Sequence, residues 1–249
     1  DNTHPYVGEQ ITASYKLYTR LPMNMSLTQL PSLNGFWSED FDIPNPPRPH
    51  EEIVNGKPYQ VFLLKKSALF PQQTGKLTLD AARAEGIVRV IHKVQGQNPF
   101  AADPAAGSLF MDDPLFNSDF FSGYDYKDVK TKISSEPVTI QVMPLPGNNQ
   151  PAGFSGGVGR FNIHTEMDST VLSTDGGGAF RFVISGSGNL KLIGPPEIDF
   201  PEALGATDPQ LSDTILSRNP VINGTKTFRY DLSPQQPGNY TIPAITFSY

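Results

Sequence analysis

The sequence predicts an all-β chain of two antiparallel β-sandwich domains in tandem, on three observations. Short runs alternate apolar and polar residues with a period of two. Turn-forming pairs separate those runs, and helical periodicity is weak throughout. One motif occurs twice, as PQQTGKLTLDAA from Pro71 and PQQPGNYTIPAI from Pro234. A repeat of this kind marks a duplicated architectural unit.

Bulk properties set the frame. The 249 residues suit one large domain or two of ordinary size, and the repeat favours two. With 22 glycines and 24 prolines, turns are plentiful, and these residues are scattered, not gathered in one tract. A net charge of −6 over this length is mild. It argues against nucleic acid as the main partner, since phosphate binding needs a basic face. The absence of cysteine excludes disulfide scaffolds and thiolate metal sites. No run of about 18 apolar residues predicts a membrane span. Asp1 opens no signal-peptide pattern, so an exported chain is expected here in mature or trimmed form.

Each element follows from its pattern. Residues 10–19 alternate through Ile11, Ala13, Tyr15 and Leu17 and read as strand B of the first sandwich. Residues 77–94 read as its strand F, with at most one helical turn at 80–86. Residues 137–143 alternate through Val138, Ile140 and Val142 as its last strand, G. Pro, Gly and Asn then punctuate residues 144–157, which places a first domain at 1–146, a linker at 147–157 and a second domain at 158–249. In the second domain, residues 159–167 form strand A, with Phe161, Ile163, Thr165 and Met167 on one face. Residues 178–185 are B, 190–193 C, 225–232 E and 240–249 F, and strand G is expected to be missing. Asn55-Gly56, Asp175-Gly176, the run Gly186 to Asn189, and Asn223-Gly224 are the turn signals.

The repeated motif has a physical meaning in such a fold. Immunoglobulin-like sandwiches carry a tyrosine corner, in which a Tyr entering strand F bonds back to the backbone upstream. Gly238 and Tyr240 fit that form, and Gly75 and Leu77 occupy the same places in the first copy. Leucine fills the space without the hydroxyl bond, which is worth about 1 kcal/mol. Both domains therefore read as immunoglobulin-like, with Gly75, Leu77, Gly238 and Tyr240 as structural corner residues.

One stretch has no counterpart in the second copy. Residues 96–130 form an insertion rich in aromatics, including Phe100, Phe110, Phe116, Phe120, Phe121, Tyr124 and Tyr126. So long a connection is usually functional or disordered, and this aromatic content speaks against disorder. Phe110, Phe116, Phe120, Phe121, Tyr124 and Tyr126 are the candidate partner-binding residues, rigid apolar anchors with an acidic rim. The competing reading is an insertion that folds over its own sandwich.

Several segments together resemble the BatD family of bacterial oxygen-tolerance (aerotolerance) envelope proteins: YVGEQITASYKLYT, GFWSEDF, SEPVTIQVMPLP running into GFSGGVGRFNI, SGSGNLKLIGPPEIDFP, and KTFRYDLSPQQPGNYTIPAITFSY. The resemblance implies immunoglobulin-like repeats, export to the periplasm, and inner-membrane anchoring through a segment absent from this chain. It implies partners among envelope proteins, some with von Willebrand factor A domains, and it assigns no catalytic residue.

Other candidate sites are weaker. Gly153-Phe154-Ser155-Gly156-Gly157 matches G-x-S-x-G, but a nucleophile elbow needs a strand before it and a helix after it. The four histidines, His4, His50, His92 and His164, show no ligand spacing. Asp112, Asp113, Asp119, Asp125 and Asp128 could bind calcium through oxygen ligands, yet their spacing misses the EF-hand pattern. Trp37, the single tryptophan, reads as a core residue. No cofactor, metal or small-molecule substrate is expected. The expected function is a non-catalytic protein–protein interaction module, with glycan binding through Trp37 or the loop aromatics as the alternative.

Overall fold

The computed structural model describes residues 2–94, 123–147, 150–151, 153–217 and 221–249, and the side chains of 91–94 and 123–126 lie outside the description. The chain is all-β, with every strand ladder antiparallel.

The first half is built around one long strand. β1 (Ile11–Thr19) lies along one edge of β5 (Lys57–Pro71), and β3 (Phe36–Asp40) and β4 (His50–Val54) share the other. Asn55 and Gly56, at φ 52° and 72°, turn β4 into β5, the backbone that a two-residue hairpin requires. Facing this sheet is a ribbon of β6 (Gly75–Leu79) and β9 (Val138–Val142), with Leu77 opposite Ile140. Ile11, Leu69, Leu77, Leu79, Ile140 and Val142 seal the space between the two layers. The N-terminal segment runs parallel to β9, with the Val7 N–H donating to the Met143 carbonyl at 2.9 Å.

A three-stranded sheet of β2 (Met23–Gln29), β7 (Arg83–Val94) and β8 (Gly123–Ser134) completes this half. It corrects two expectations. Residues 77–94 are not one strand: the chain breaks after Leu79 and enters a different sheet, and the helical turn at 80–86 gives way to the start of β7. The insertion is also shorter than 96–130, because β8 takes 123–130 and pairs with β7 along its full length. Lys127 to Lys130 are all exposed on this ribbon, so no apolar face announced a strand.

The second half carries a four-stranded sheet in the order β10 (Gly159–Met167), β11 (Gly178–Gly188), β13 (Asn223–Leu232), β12 (Gln210–Ser217). Each strand pairs antiparallel with its neighbour in that order. The facing layer differs from expectation. Residues 190–192 form a 3₁₀ turn in place of strand C. Residues 240–249 form no ladder, and only Ser248 makes a bridge, to Phe154. Asn223-Gly224 and Gly186 to Gly188 lie inside strands, not at turns. At Gly186 a side chain is impossible, since its Cβ would fall 2.1 Å from the Arg160 carbonyl oxygen of the neighbouring strand.

The second core is aromatic. Phe161, Phe180, Phe182, Phe228 and Tyr230 are buried with Ile184, Leu190 and Ile193, and Ile198, Phe200, Ile242, Ile245 and Phe247 pack on them from the irregular layer. Lys226 shares the inward face of β13 with Phe228 and Tyr230. It is 3 % exposed and donates to the Lys191 and Ile193 carbonyls at 2.7 and 2.6 Å. Burial lowers its pKa, and the two carbonyls fix the 3₁₀ turn to the sheet.

The halves touch. Ala68, Phe70 and Ile222 form a buried cluster flanked by Trp37, Phe41, Leu192 and Ile215. Lys191 bonds Glu39 at 2.9 Å, and the Gln10 side chain accepts the Ile222 N–H at 2.8 Å. The connecting segment is clamped by Asn189, which is 3 % exposed: it accepts from Val158 N–H at 2.7 Å and donates to the Gly156 carbonyl at 2.8 Å.

Candidate functional site: two corners and an open edge

The repeat PQQ does the same mechanical task in each half. The N–H of Gln72 donates to the Gly35 carbonyl, and that of Gln235 to the Ala203 carbonyl, both at 2.8 Å. Each glutamine also folds its side-chain amide back to the carbonyl two residues upstream, Gln72 onto Phe70 at 3.0 Å and Gln235 onto Ser233 at 2.8 Å. One Gln therefore serves as a staple between the end of the long strand and an earlier loop, which accounts for its recurrence.

Beyond the glutamines the corners diverge. Gly75 sits at φ 99°, where an L side chain is strained. Gly238 does not adopt a positive φ, which corrects the expectation that both glycines turn the chain by the same means. A Cβ at Gly238 would meet the Tyr240 ring at 3.4 Å, ordinary contact distance. Leu77 is 6 % exposed and packs in the first core. Tyr240 is half-buried, and its hydroxyl donates to the Gln236 carbonyl at 2.9 Å. The first corner is held by packing, the second by packing and a hydrogen bond.

The segments that leave the two corners differ more. In the first half, β6 pairs with β9. In the second, none of the described residues bonds the backbone of residues 241–247. The consequence shows on β10. Ile163, Thr165 and Met167 stand opposite Ile184, Phe182 and Phe180 of β11 on the same sheet face. Those β11 residues are 0, 0 and 6 % exposed, whereas Ile163 and Met167 are 40 and 37 % exposed. The second layer covers β11 and, on β10, Phe161, and stops short of Ile163 and Met167. A cleft of about 700 Å³ opens there, lined by Thr165, Met167, Leu172, Tyr240 and Ile242 among others. The sequence placed Ile163, Thr165 and Met167 on one face, but alternation cannot say whether a second layer reaches that face.

The other candidates are spread over the chain. Phe100, Phe110, Phe116, Phe120 and Phe121 lie outside the described residues, as do Asp112, Asp113 and Asp119. Tyr124 and Tyr126 are β8 positions in register with Lys93 and Ile91. Asp128 pairs with Arg89 through two contacts, at 2.9 and 3.1 Å. Ser155 accepts the Gly157 N–H at 3.2 Å, and its own N–H donates to the Ser248 carbonyl. A strand, not a helix, comes after it. Trp37 is half-buried, its ring 5.3 Å from Phe70 and under the Lys191 ammonium at 5.9 Å. His164 bonds the exposed Glu166 at 3.2 Å.

A polar cluster that the sequence did not single out sits on the first sheet. Glu52 takes Lys16 and His50 at 2.8 Å on one oxygen and Tyr18 at 2.9 Å on the other. These bonds, Lys16 foremost, lower its pKa to about 2. Burial raises the pKa of Asp40, but bonds from Lys65 and Ser67, both at 2.6 Å, outweigh it and hold the carboxyl below its ordinary value. The Asp40 cluster joins the neighbouring strands β3 and β5, and the Glu52 cluster joins β4 to β1 across β5. Among the described residues, no group of three His, Asp or Glu side chains could hold a metal ion.

An all-β chain with a corner motif in each half and an open edge in the second defines a modular class of protein. The family model described as BatD DUF11 like domain matches residues 165–249. The chain is thus BatD-like, with the match carried by residues 165–249, and a BatD domain points to an aerotolerance-associated bacterial envelope protein. No curated protein and no solved structure matches the chain.

Proposed function

We propose that the chain is a non-catalytic protein–protein interaction module of a bacterial envelope complex. The observation that carries this reading is the inner face of β10, where Ile163 and Met167 are 40 and 37 % exposed. Exposed apolar side chains on an edge strand invite association. On this reading the chain works in the periplasm, held at the inner membrane by a segment outside these residues. Its partners are envelope proteins, von Willebrand factor A-domain proteins among them. Ser155 bonds only backbone groups, which supports a structural part for the G-x-S-x-G match. The packing of Trp37 between Phe70 and Lys191 weighs against a glycan platform.

The test is titration calorimetry of the purified chain against purified von Willebrand factor A domains from the same envelope. Saturable binding with no chemical turnover is expected. The absence of binding to any of them, together with labelling of Ser155 by a fluorophosphonate probe, would overturn the reading.

A further inference from the structure

We propose that Asn55, in the two-residue turn between β4 and β5, is a site of spontaneous deamidation and backbone isomerisation, and that the fold shuts the other two Asn-Gly pairs of the chain to the same reaction. Asn-Gly occurs at 34–35, 55–56 and 223–224. In each pair no side chain on the glycine hinders the main-chain nitrogen that attacks. The surroundings therefore decide which of the three reacts.

The Gly56 nitrogen bonds to Cγ of Asn55, and the bond from Cγ to Nδ2 breaks. The proton of the Gly56 N–H passes through water to the departing nitrogen, which leaves as ammonia and closes a succinimide ring. Water then opens the ring at either carbonyl. One opening gives aspartate. The other routes the main chain through Cβ and Cγ and gives isoaspartate, with an added methylene in the backbone. Nothing is oxidised or reduced, and water is the only co-reactant.

Ring closure needs the Asn55–Gly56 peptide to rotate into open space. Residues 53, 54, 55, 56, 57 and 58 are all exposed, and nothing lies within 4 Å of where a Gly56 Cβ would stand. Among the described residues none bonds the Asn55 side chain or the Gly56 N–H. Asn55 also sits at φ 52°, strained for an L residue, so rotation away from that state releases strain.

The other two pairs are held. The Gly35 carbonyl accepts the Gln72 N–H at 2.8 Å, and the Phe36 N–H bonds the Leu33 carbonyl across the turn at 3.0 Å. A Cβ on Gly35 would stand 2.8 Å from the Leu77 side chain. The staple of the first corner thus also keeps this peptide still. Gly224 lies inside the second sheet, in register with Gly186 of β11 on one side and Ile215 of β12 on the other. Its Cβ would fall 2.4 Å from the Thr214 carbonyl oxygen.

The product matters to the first sheet. β4 is held in register by its ladder with β5, which the turn at Asn55 sets. An added methylene does not fit a two-residue turn, so β4 loosens. Glu52 lies on β4, and Lys16 and Tyr18 reach it from β1. Isomerisation at Asn55 therefore unfastens that cluster.

The test is incubation of the chain at neutral pH, folded and in urea, with peptide mapping and enzymatic methylation of isoaspartate over time. In urea the three pairs convert at similar rates. In the folded chain Asn55 is expected to convert at least about tenfold faster than Asn34 and Asn223, which first need local opening. Either of these keeping pace with Asn55 would overturn the proposal. So would an Asn55 that converts in urea and stays intact when folded. NMR titration of the Glu52 carboxyl checks the consequence, with the midpoint of the isoaspartate form moving up from about 2 towards 4.5. Asn55→Asp, which adds the charge without lengthening the backbone, leaves it near 2. An unmoved midpoint in the isoaspartate form, or an equal shift in both, would overturn the link to β4.

Discussion

The corner strand of the first sandwich is enclosed and the corner segment of the second is not, although the same Pro-Gln-Gln staple introduces both. β6 buries Leu77 and Leu79 at 6 % exposure each and pairs with β9. Residues 241–247 lay Ile242, Ile245 and Phe247 on the core without a ladder. The staple fixes where the chain turns. It does not supply the neighbour that makes the next segment a strand. One sequence motif thus leads into a paired strand with one buried face in one half and into a partly buried segment in the other.

The contrast breaks hardest at Leu77. Leu77→Ala empties a sealed core position and is expected to cost about 2–5 kcal/mol, by the transfer and cavity terms together. Ile242→Ala, next to the open cleft, is expected to cost about half as much or less, because the site can relax and water already reaches it. Denaturant midpoints measured at unchanged slope check both. Equal losses would mean that the second corner is as tightly packed as the first.

These regions also differ in how far the sequence foretold them. β1, β9, β10, β11 and β13 were legible because each alternates one apolar face with one polar face. β12 was not, because its residues are exposed or nearly so on both faces and its pattern carries no sidedness. Strand C failed where Lys226 fastens residues 190–193 into a 3₁₀ turn, a tertiary bond that local pattern cannot announce. A signal was present, since Lys226 shares the β13 face of Phe228 and Tyr230, and a lysine in that place must find acceptors. Segment 240–249 turns Ile242, Ile245 and Phe247 inward with its alternation broken at Pro243 and Ala244, and it has no ladder partner among the described residues. The corner residues were legible by position and less so by mechanism, because Gly238 sits in an ordinary conformation.

That last difference gives the next prediction. Gly75→Ala forces a side chain onto φ 99° and is expected to destabilise by about 1–2 kcal/mol. Gly238→Ala has no such strain and meets the Tyr240 ring at contact distance, so a change within about 0.5 kcal/mol is expected. Thermal unfolding of the two variants side by side separates them. A large loss at Gly238 would restore the symmetrical reading of the corners.

The hydroxyl at the second corner is worth less. Tyr240→Phe removes the bond to the Gln236 carbonyl and keeps the ring, and a loss of about 0.5–1.5 kcal/mol is expected. The carbonyl stays accessible to water on an exposed turn, which favours the lower end. If the loss is nil, packing alone holds both corners, and the difference between Leu77 and Tyr240 is one of shape.

The finest contrast lies on the solvent face of each sheet. In the second half Glu166 bonds His164 two residues along its own strand. In the first, Glu52 gathers Lys16, His50 and Tyr18 from β1 and β4, across the intervening β5. These bonds favour the carboxylate, so the folded pKa of about 2 lies below the ordinary 4.5. The linkage has a fixed sign. The unfolded chain binds this proton more readily, so the cluster's contribution is complete above pH 4.5. It is lost as the pH falls towards 2. NMR titration of the Glu52 carboxyl should place its midpoint near 2, and Lys16→Met, which removes the leading cause, should move it upward towards 4.5. A midpoint unchanged by that substitution would mean that the cross-sheet bond does not form in solution.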